Sequence, residues 1–210
     1  MKKIFLALVV IAIFSTCAFA TPGRLDKDGG HKDKVTGIYH YHRGPNAVQP
    51  YDFRMNSVYK ARVIRVVDGD TAIFTLMLDD GKIYKDERTR FTGVNTPETV
   101  HPNKPVEYYG KEASNFTKSQ LKPDMIVWLQ TDVGARDRYG RLLAYVWTSE
   151  PSEEDLNDED AIREKMFNAR LLLDGYAQTS SVQPNTRYSE VFAKFQREAR
   201  ENNKGLWAGN

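Results

Sequence analysis

Thiols are almost missing from this chain: of its 210 residues only one is a cysteine, Cys17. A protein trimmed after Ala20 would carry none, which excludes a disulfide framework and a cysteine-based zinc finger. Long apolar runs are equally scarce. The one clear case, residues 4–14, is short for a membrane span and sits inside "MKKIFLALVVIAIFSTCAFA". Two lysines, an apolar stretch and then Ala18-Phe19-Ala20 have the layout of a secretory signal with its cleavage site. A membrane anchor is the rival reading, and the small-residue end favours cleavage. Thr16 before Cys17 fits a lipoprotein signal poorly. The expectation is an exported chain starting near Thr21, periplasmic or secreted, with no membrane span after signal removal and a monomeric state. Internal repeats are absent as well.

Net charge is low, +2 overall, but unevenly spread. Residues 150–160, "EPSEEDLNDED", hold seven acids and no base. They read as a solvated acidic loop on a basic body, and a basic body suits a polyanionic partner.

Residues 21–57 are rich in Gly, Asp, Lys, His and Pro and read as an irregular N-terminal segment. From Val58 the texture changes. "VYKARVIRVV" and "TAIFTLML" alternate apolar and polar residues around an Asp68-Gly69-Asp70 turn. Residues 82–94 read as a third strand, 125–131 and 141–148 as two more. Helices are expected over 105–121, 161–176 and 188–207, the second ending at Gly175 and the third starting near Ser189. Three strands, a helix, two strands and two helices suit an α+β fold: a five-stranded OB-fold β-barrel with three α-helices over 58–208.

Asp70, Arg90, the segment Asn95-Thr96-Pro97-Glu98 and Arg141 stand at strand ends or loops. Phosphodiester hydrolysis needs such groups. Guanidinium forks match phosphate oxygens and offset the charge of the transition state. Oxygen ligands hold a hard cation, and a carboxylate accepts the proton of attacking water. Each residue also has a plain alternative. Asp68 and Asp70 can shape a turn, Arg90 can pair with Glu87, Arg141 can belong to the Arg136-Asp137-Arg138 cluster, and the Asn95–Glu98 stretch can form a turn.

The order of the blocks discriminates between these readings. "VIRVVDGDTAIF", "RTRFTGVNTPETVHP", "VEYYGKEASNFTK", "DRYGRLLAYVW" and "KGLW" follow one another in a way that resembles the thermonuclease (staphylococcal nuclease-like) family from about Val63 to Trp207. The resemblance implies an OB-fold nuclease using Ca2+ on DNA and RNA. It further implies cleavage of the bond to the 5′ oxygen, leaving 3′-phosphate ends. Asp70, Asn95 and the Thr96 carbonyl match the metal ligands, Glu98 the general base, and Arg90 and Arg141 the phosphate-binding arginines. Tyr139 matches a tyrosine near the nucleotide, with Arg138 beside it as a further substrate contact.

The chain also departs from the family. Asn95 stands where a second ligating aspartate is expected, so calcium affinity should be lower. Ser180 and Val182 stand where two tyrosines would contact the nucleotide, which weakens base stacking. At the front, "DKDGGHKDKVTGIYHYH" places His31, His40 and His42 as candidates for a second metal site, taking Zn2+. A glycine-rich loop with surface histidines explains the same residues equally well. Two rivals to the enzyme remain: a non-catalytic nucleic-acid-binding OB-fold module, and a metal-binding cell-envelope protein.

Overall fold

A computed structural model of the chain describes residues 30–32, 39–41, 53–77, 83–99 and 105–208. The expected signal segment and most of 21–57, His42 included, lie outside the described residues. Two short strands, β1 (Gly30–Lys32) and β2 (Tyr39–Tyr41), pair antiparallel with His31 opposite His40. The side chains of both histidines also lie outside what is described, and with them the zinc reading.

The main body is a closed barrel. Its strands are β3 (Val58–Asp68), β4 (Thr71–Met77), β5 (Ile83–Phe91), β7 (Ile126–Gln130) and β8 (Leu142–Trp147), in the order β3-β4-β5-β8-β7. Strand alternation decides which residues face in. Ala61, Val63, Ala72, Phe74, Leu76, Val127, Leu129, Leu142 and Ala144 are fully buried, while Lys60, Arg62 and Arg65 are exposed. Each large buried side chain contributes on the order of 1.5–3 kcal/mol. Trp147 and Tyr145 are buried too, and their polar atoms are satisfied by Gln130 at 2.8 Å and Asp132 at 3.0 Å. Burial and the adjacent Asp132 carboxylate raise the Tyr145 phenol far above its ordinary pKa. It therefore stays a donor.

Two register shifts on β3, between Val63 and Arg65 and between Val66 and Asp68, tighten the twist of the β3–β4 hairpin. The barrel closes where β5 meets β8 in parallel, Arg90 opposite Leu143. The expected third strand continues past a break at Thr92, with Gly93 at φ 80°, as β6 (Gly93–Asn95), which pairs with β9 (Gln178–Ser180).

Helix α1 (Gly110–Gln120) starts five residues after Pro105, so the proline lies outside the helix it was expected to open. The helix predicted over 161–176 is realised as α2 (Glu159–Lys165) and α3 (Phe167–Leu173). Extended backbone at Met166 (φ −94°, ψ 119°) separates them, and Met166 bridges to Trp147 on β8. Tertiary pairing overrides the helical periodicity there. Helix α4 (Ser189–Glu201) packs on α3. Gly175 (φ 74°) follows α3, and a side chain there would lie 2.2 Å from the Lys204 carbonyl oxygen. Among the described residues no helix is long and apolar enough to cross a membrane.

The acidic stretch is not a free loop. Asp155 accepts from Lys165 Nζ at 2.9 Å and from the Ser152 amide. Asp158 caps α2 through the amides of Asp160 and Ala161, and Glu159 pairs with Lys194 at 2.6 Å.

Candidate active site

Strand pairing explains why distant residues meet. Thr71 is opposite Arg90 across β4 and β5, so the preceding Asp70 lies at the end of the arginine strand. Arg141 directly precedes β8, whose Leu142 and Leu143 pair with Thr89 and Arg90. The end of β6 then brings in Asn95 and the Thr96-Pro97-Glu98 turn. As a result Asp70, Arg90, Asn95, Thr96, Glu98 and Arg141 line one cavity of about 360 Å³, together with Asp68, Arg88 and Glu107.

Gly69 permits this approach. A side chain at that position would sit 2.6 Å from Thr96 Oγ1, and the Thr117 hydroxyl donates to the Gly69 carbonyl at 2.6 Å. The two flanking acids divide the work. Asp68, 5 % exposed, accepts from the Gly69 amide at 2.8 Å and from the Thr99 hydroxyl and amide. It fastens the loop beyond Glu98. Asp70, 6 % exposed, accepts from the Thr96 amide at 2.8 Å and the Thr71 hydroxyl at 3.1 Å, and pairs with Arg90 Nη1 at 2.7 Å.

Arg90 donates its other terminal nitrogen to Asn95 Oδ1 at 2.8 Å. The plain alternative of an Arg90–Glu87 pair does not occur: Glu87 takes both terminal nitrogens of Arg136, at 2.7 and 3.2 Å. Arg141 donates its Nε to Asp137 at 2.7 Å, and the Asp137 carboxylate also accepts the amides of Tyr139 and Arg141. The cluster alternative is thus realised at one nitrogen, and no described residue accepts from the terminal nitrogens of Arg141. Burial lowers the Arg90 guanidinium's pKa below its ordinary value, Asp70 opposes that, and nearby Arg141 adds to it. Two guanidinium groups that repel one another, one of them desolvated, form a site for an anion.

Both arginines also line a second, larger cavity of about 820 Å³. Tyr139, Arg138, Ser180 and Val182 line it as well. The Arg138 guanidinium lies over the Tyr139 ring, 4.7 Å from its centre. Asn185 spans the loops on either side: it accepts from the Gly134 amide at 2.7 Å and donates to the Gly134 carbonyl at 2.8 Å.

Several of these supports escaped the sequence reading. Glu107 accepts from the Glu98 amide at 3.0 Å, and Thr99, Thr117 and Asn185 were not singled out. Asp137 entered only as a member of the cluster beside Arg141, four residues before it.

A family model described as "Staphylococcal nuclease homologue" matches residues 88–209. The chain belongs to the staphylococcal nuclease family. It is 42 % identical to a thermonuclease of Staphylococcus hyicus over 70 % of this chain and 75 % of that protein. With a thermonuclease of Staphylococcus intermedius the identity is 43 %, over 69 % and 74 %. Endonuclease YncB of Bacillus subtilis is 28 % identical, and that similarity spans 99 % of this chain and 93 % of its relative. The barrel-and-helix architecture agrees with family membership.

The oxygens in the smaller cavity can be tested against a divalent ion. Asp70, Asp68 and Glu98 supply carboxylates, Asn95 an amide oxygen and Thr96 a carbonyl, all suited to a hard cation. Thr96 Oγ1 is in addition a buried oxygen without a hydrogen-bond partner among the described residues. The donor set fits such an ion. It is lean: among the described residues no group of three or more His, Cys, Asp or Glu side chains is arranged to hold a metal. Arg90 contacts both Asp70 and Asn95.

Proposed function

We propose that the chain is an exported nuclease that hydrolyses phosphodiester bonds of DNA and RNA with calcium, cleaving the bond to the 5′ oxygen and leaving 3′-phosphate ends. That it is a nuclease is supported by its family and by relatives named thermonuclease and endonuclease. The observation that carries the reading is the single cavity shared by Asp70, Arg90, Glu98 and Arg141.

In this reading the scissile phosphate lies against Arg90 and Arg141, whose remaining N–H donors stabilise charge as it grows on the phosphate oxygens. The Asp70 and Asn95 oxygens, with the Thr96 carbonyl, would hold calcium, which supplies Lewis-acid charge neutralisation. Glu98 takes the proton of a water whose oxygen bonds to phosphorus while the bond to the 5′ oxygen breaks. The departing 5′ oxygen takes a proton from solvent water, and the phosphate stays on the 3′ oxygen of the other fragment. The nucleoside beside the scissile group fits the larger cavity, against Tyr139 and Arg138.

Purified chain incubated with an end-labelled oligonucleotide, with calcium or with chelator, tests this. Calcium-dependent cleavage leaving 3′-phosphate ends, largely lost in Glu98→Ala, is expected. Binding without cleavage would instead favour the non-catalytic module, and cleavage indifferent to chelator would remove the calcium role.

A further inference from the structure

The outer face of the barrel next to the site carries positive charge that no described residue neutralises through an ion pair. Arg65, Ile73 and Arg88 form one row across β3, β4 and β5, each directly opposite its neighbour, so their side chains project from the same face. Ala72 and Phe74 beside Ile73 point into the core, which makes this the outward face. Arg62, opposite Thr75, and Lys60, opposite Met77, extend the row along β3. All four cations are exposed, and none makes an ion pair with a described residue. On the helical side Arg163, Lys165, Arg170, Lys194 and Lys204 each pair with a carboxylate, with Arg197 and Arg200 of α4 as exceptions. One acid, the exposed Asp86, stands two residues from Arg88 on β5.

The row is continuous with the site, because Arg88 lines the same small cavity as Arg90 and Arg141. The larger cavity opens from those two arginines too, with a different set of lining residues. A strand whose nucleoside entered that cavity and whose phosphate lay at Arg90 and Arg141 would leave past Arg88.

We infer that the outer face of β3–β4–β5 is a track for the sugar-phosphate backbone of a single-stranded polynucleotide. Arg88 takes the phosphate next to the scissile one, and Arg65 a phosphate beyond it. This rests on the nuclease reading of the cavity and adds to it a polymer footprint. Binding along the track is sequence-independent, since Ile73 and Thr75 between the cations offer no base-reading pattern. The strand is single because a base drawn into the 820 Å³ cavity has left any duplex stack.

Anisotropy of a fluorescent single-stranded 20-mer in chelator, where no turnover occurs, tests the track apart from the chemistry. Arg65→Gln/Arg88→Gln should bind roughly tenfold more weakly at low salt. The slope of log Kd against log salt should fall by about 1.4, the loss expected for two phosphate contacts on a single strand. Arg197→Gln on α4, an exposed arginine in no ion pair with a described residue, removes one of the two charges the double variant removes and should bind like the parent. The track is overturned if the double variant keeps the parent's affinity and slope, if Arg197→Gln weakens binding as much, or if a 20-base-pair duplex binds more tightly than the strand. Cleavage of the same oligonucleotide with calcium reports on the nuclease reading alone: a chain that binds along the track without cutting loses that reading and keeps the track.

Discussion

Two acidic stretches of this chain, Asp68-Gly69-Asp70 and residues 150–160, have opposite fates. The short one is buried, and each carboxylate is met by backbone amides, hydroxyls or Arg90 from segments 20–31 residues away. The long one is richer in charge and lies at the surface, where its acids cap α2 and pair with Lys165 and Lys194. Density of acid therefore says little about chemistry. What separates the two is convergence: strand pairing aims guanidinium groups and oxygen ligands at the first, and only ordinary surface partners at the second.

The strongest way to break this contrast is to neutralise one acid in each region. Asp70→Asn or Glu98→Ala should reduce turnover by about 10²–10⁴-fold, the usual contribution of a positioned general base or its equivalent. Asp155→Asn should leave turnover at the parent level. Initial rates on a labelled oligonucleotide at saturating calcium measure both, and equal losses would erase the distinction.

Gly69→Ala comes next, because it leaves both carboxylates in place and disturbs only their approach. The added methyl meets Thr96 at 2.6–2.8 Å, and Thr96 is buried and β-branched, so it cannot swing away. A loss of about 1–3 kcal/mol in denaturant unfolding is expected for such overpacking, with a drop in activity as Glu98 shifts. An alanine variant of parental stability would show that the turn does not need the close contact.

Much of this was legible in advance, for reasons the strands explain. Alternation in "VYKARVIRVV" and "TAIFTLML" marks the hairpin because one face is buried and the other is wet. Asp70, Arg90 and Arg141 sit at strand ends, where backbone geometry holds a side chain in place, and Glu98 in the loop that follows β6, so their blocks keep a recognisable order. What escaped depends on pairings far apart in sequence. Arg136 finds Glu87 across 49 residues, and Asn185 finds Gly134 across 51. The break at Met166 escaped because "AIREKMFNARLLLDGY" has unbroken helical periodicity, and only contact with Trp147 interrupts it. The ion pairs of the acidic stretch escaped because its lysine partners lie 10 and 35 residues away.

Asn95→Asp sharpens the contrast by adding an acid to the converging site. A second anionic oxygen beside Asp70 should lower the calcium needed for half-maximal activity several-fold, since affinity follows ligand charge. The same carboxylate also pairs more strongly with Arg90, now held at 2.8 Å by the amide oxygen, so maximal rate at saturating calcium should rise less than affinity does. A calcium titration that is unchanged would mean that Asn95 serves Arg90 and not a metal.

In the surface stretch, Asp158→Ala should cost about 1 kcal/mol of stability, the usual worth of a helix N-cap, because the amides of Asp160 and Ala161 lose their acceptor. Activity should not follow, as α2 contributes no residue to either cavity.

The smallest effect is electrostatic. The hydrogen bond from Lys165 holds the Asp155 carboxyl below its ordinary pKa, and the hydrogen bonds from Arg163 do the same for Glu198. A carboxylate whose folded pKa is depressed stabilises the fold above its unfolded value, 3.8 for Asp155 and 4.5 for Glu198, and loses that contribution as pH falls through the lower folded value. Asp155→Asn/Glu198→Gln should therefore melt slightly below the parent at neutral pH, with the gap closing as pH drops from about 5 to about 2. Because these groups face solvent, about 1 M salt should narrow the gap at neutral pH as well. A gap that survived both acid and salt would mean that the stretch is held by packing, and the surface acids would then resemble the buried pair more than their exposure suggests.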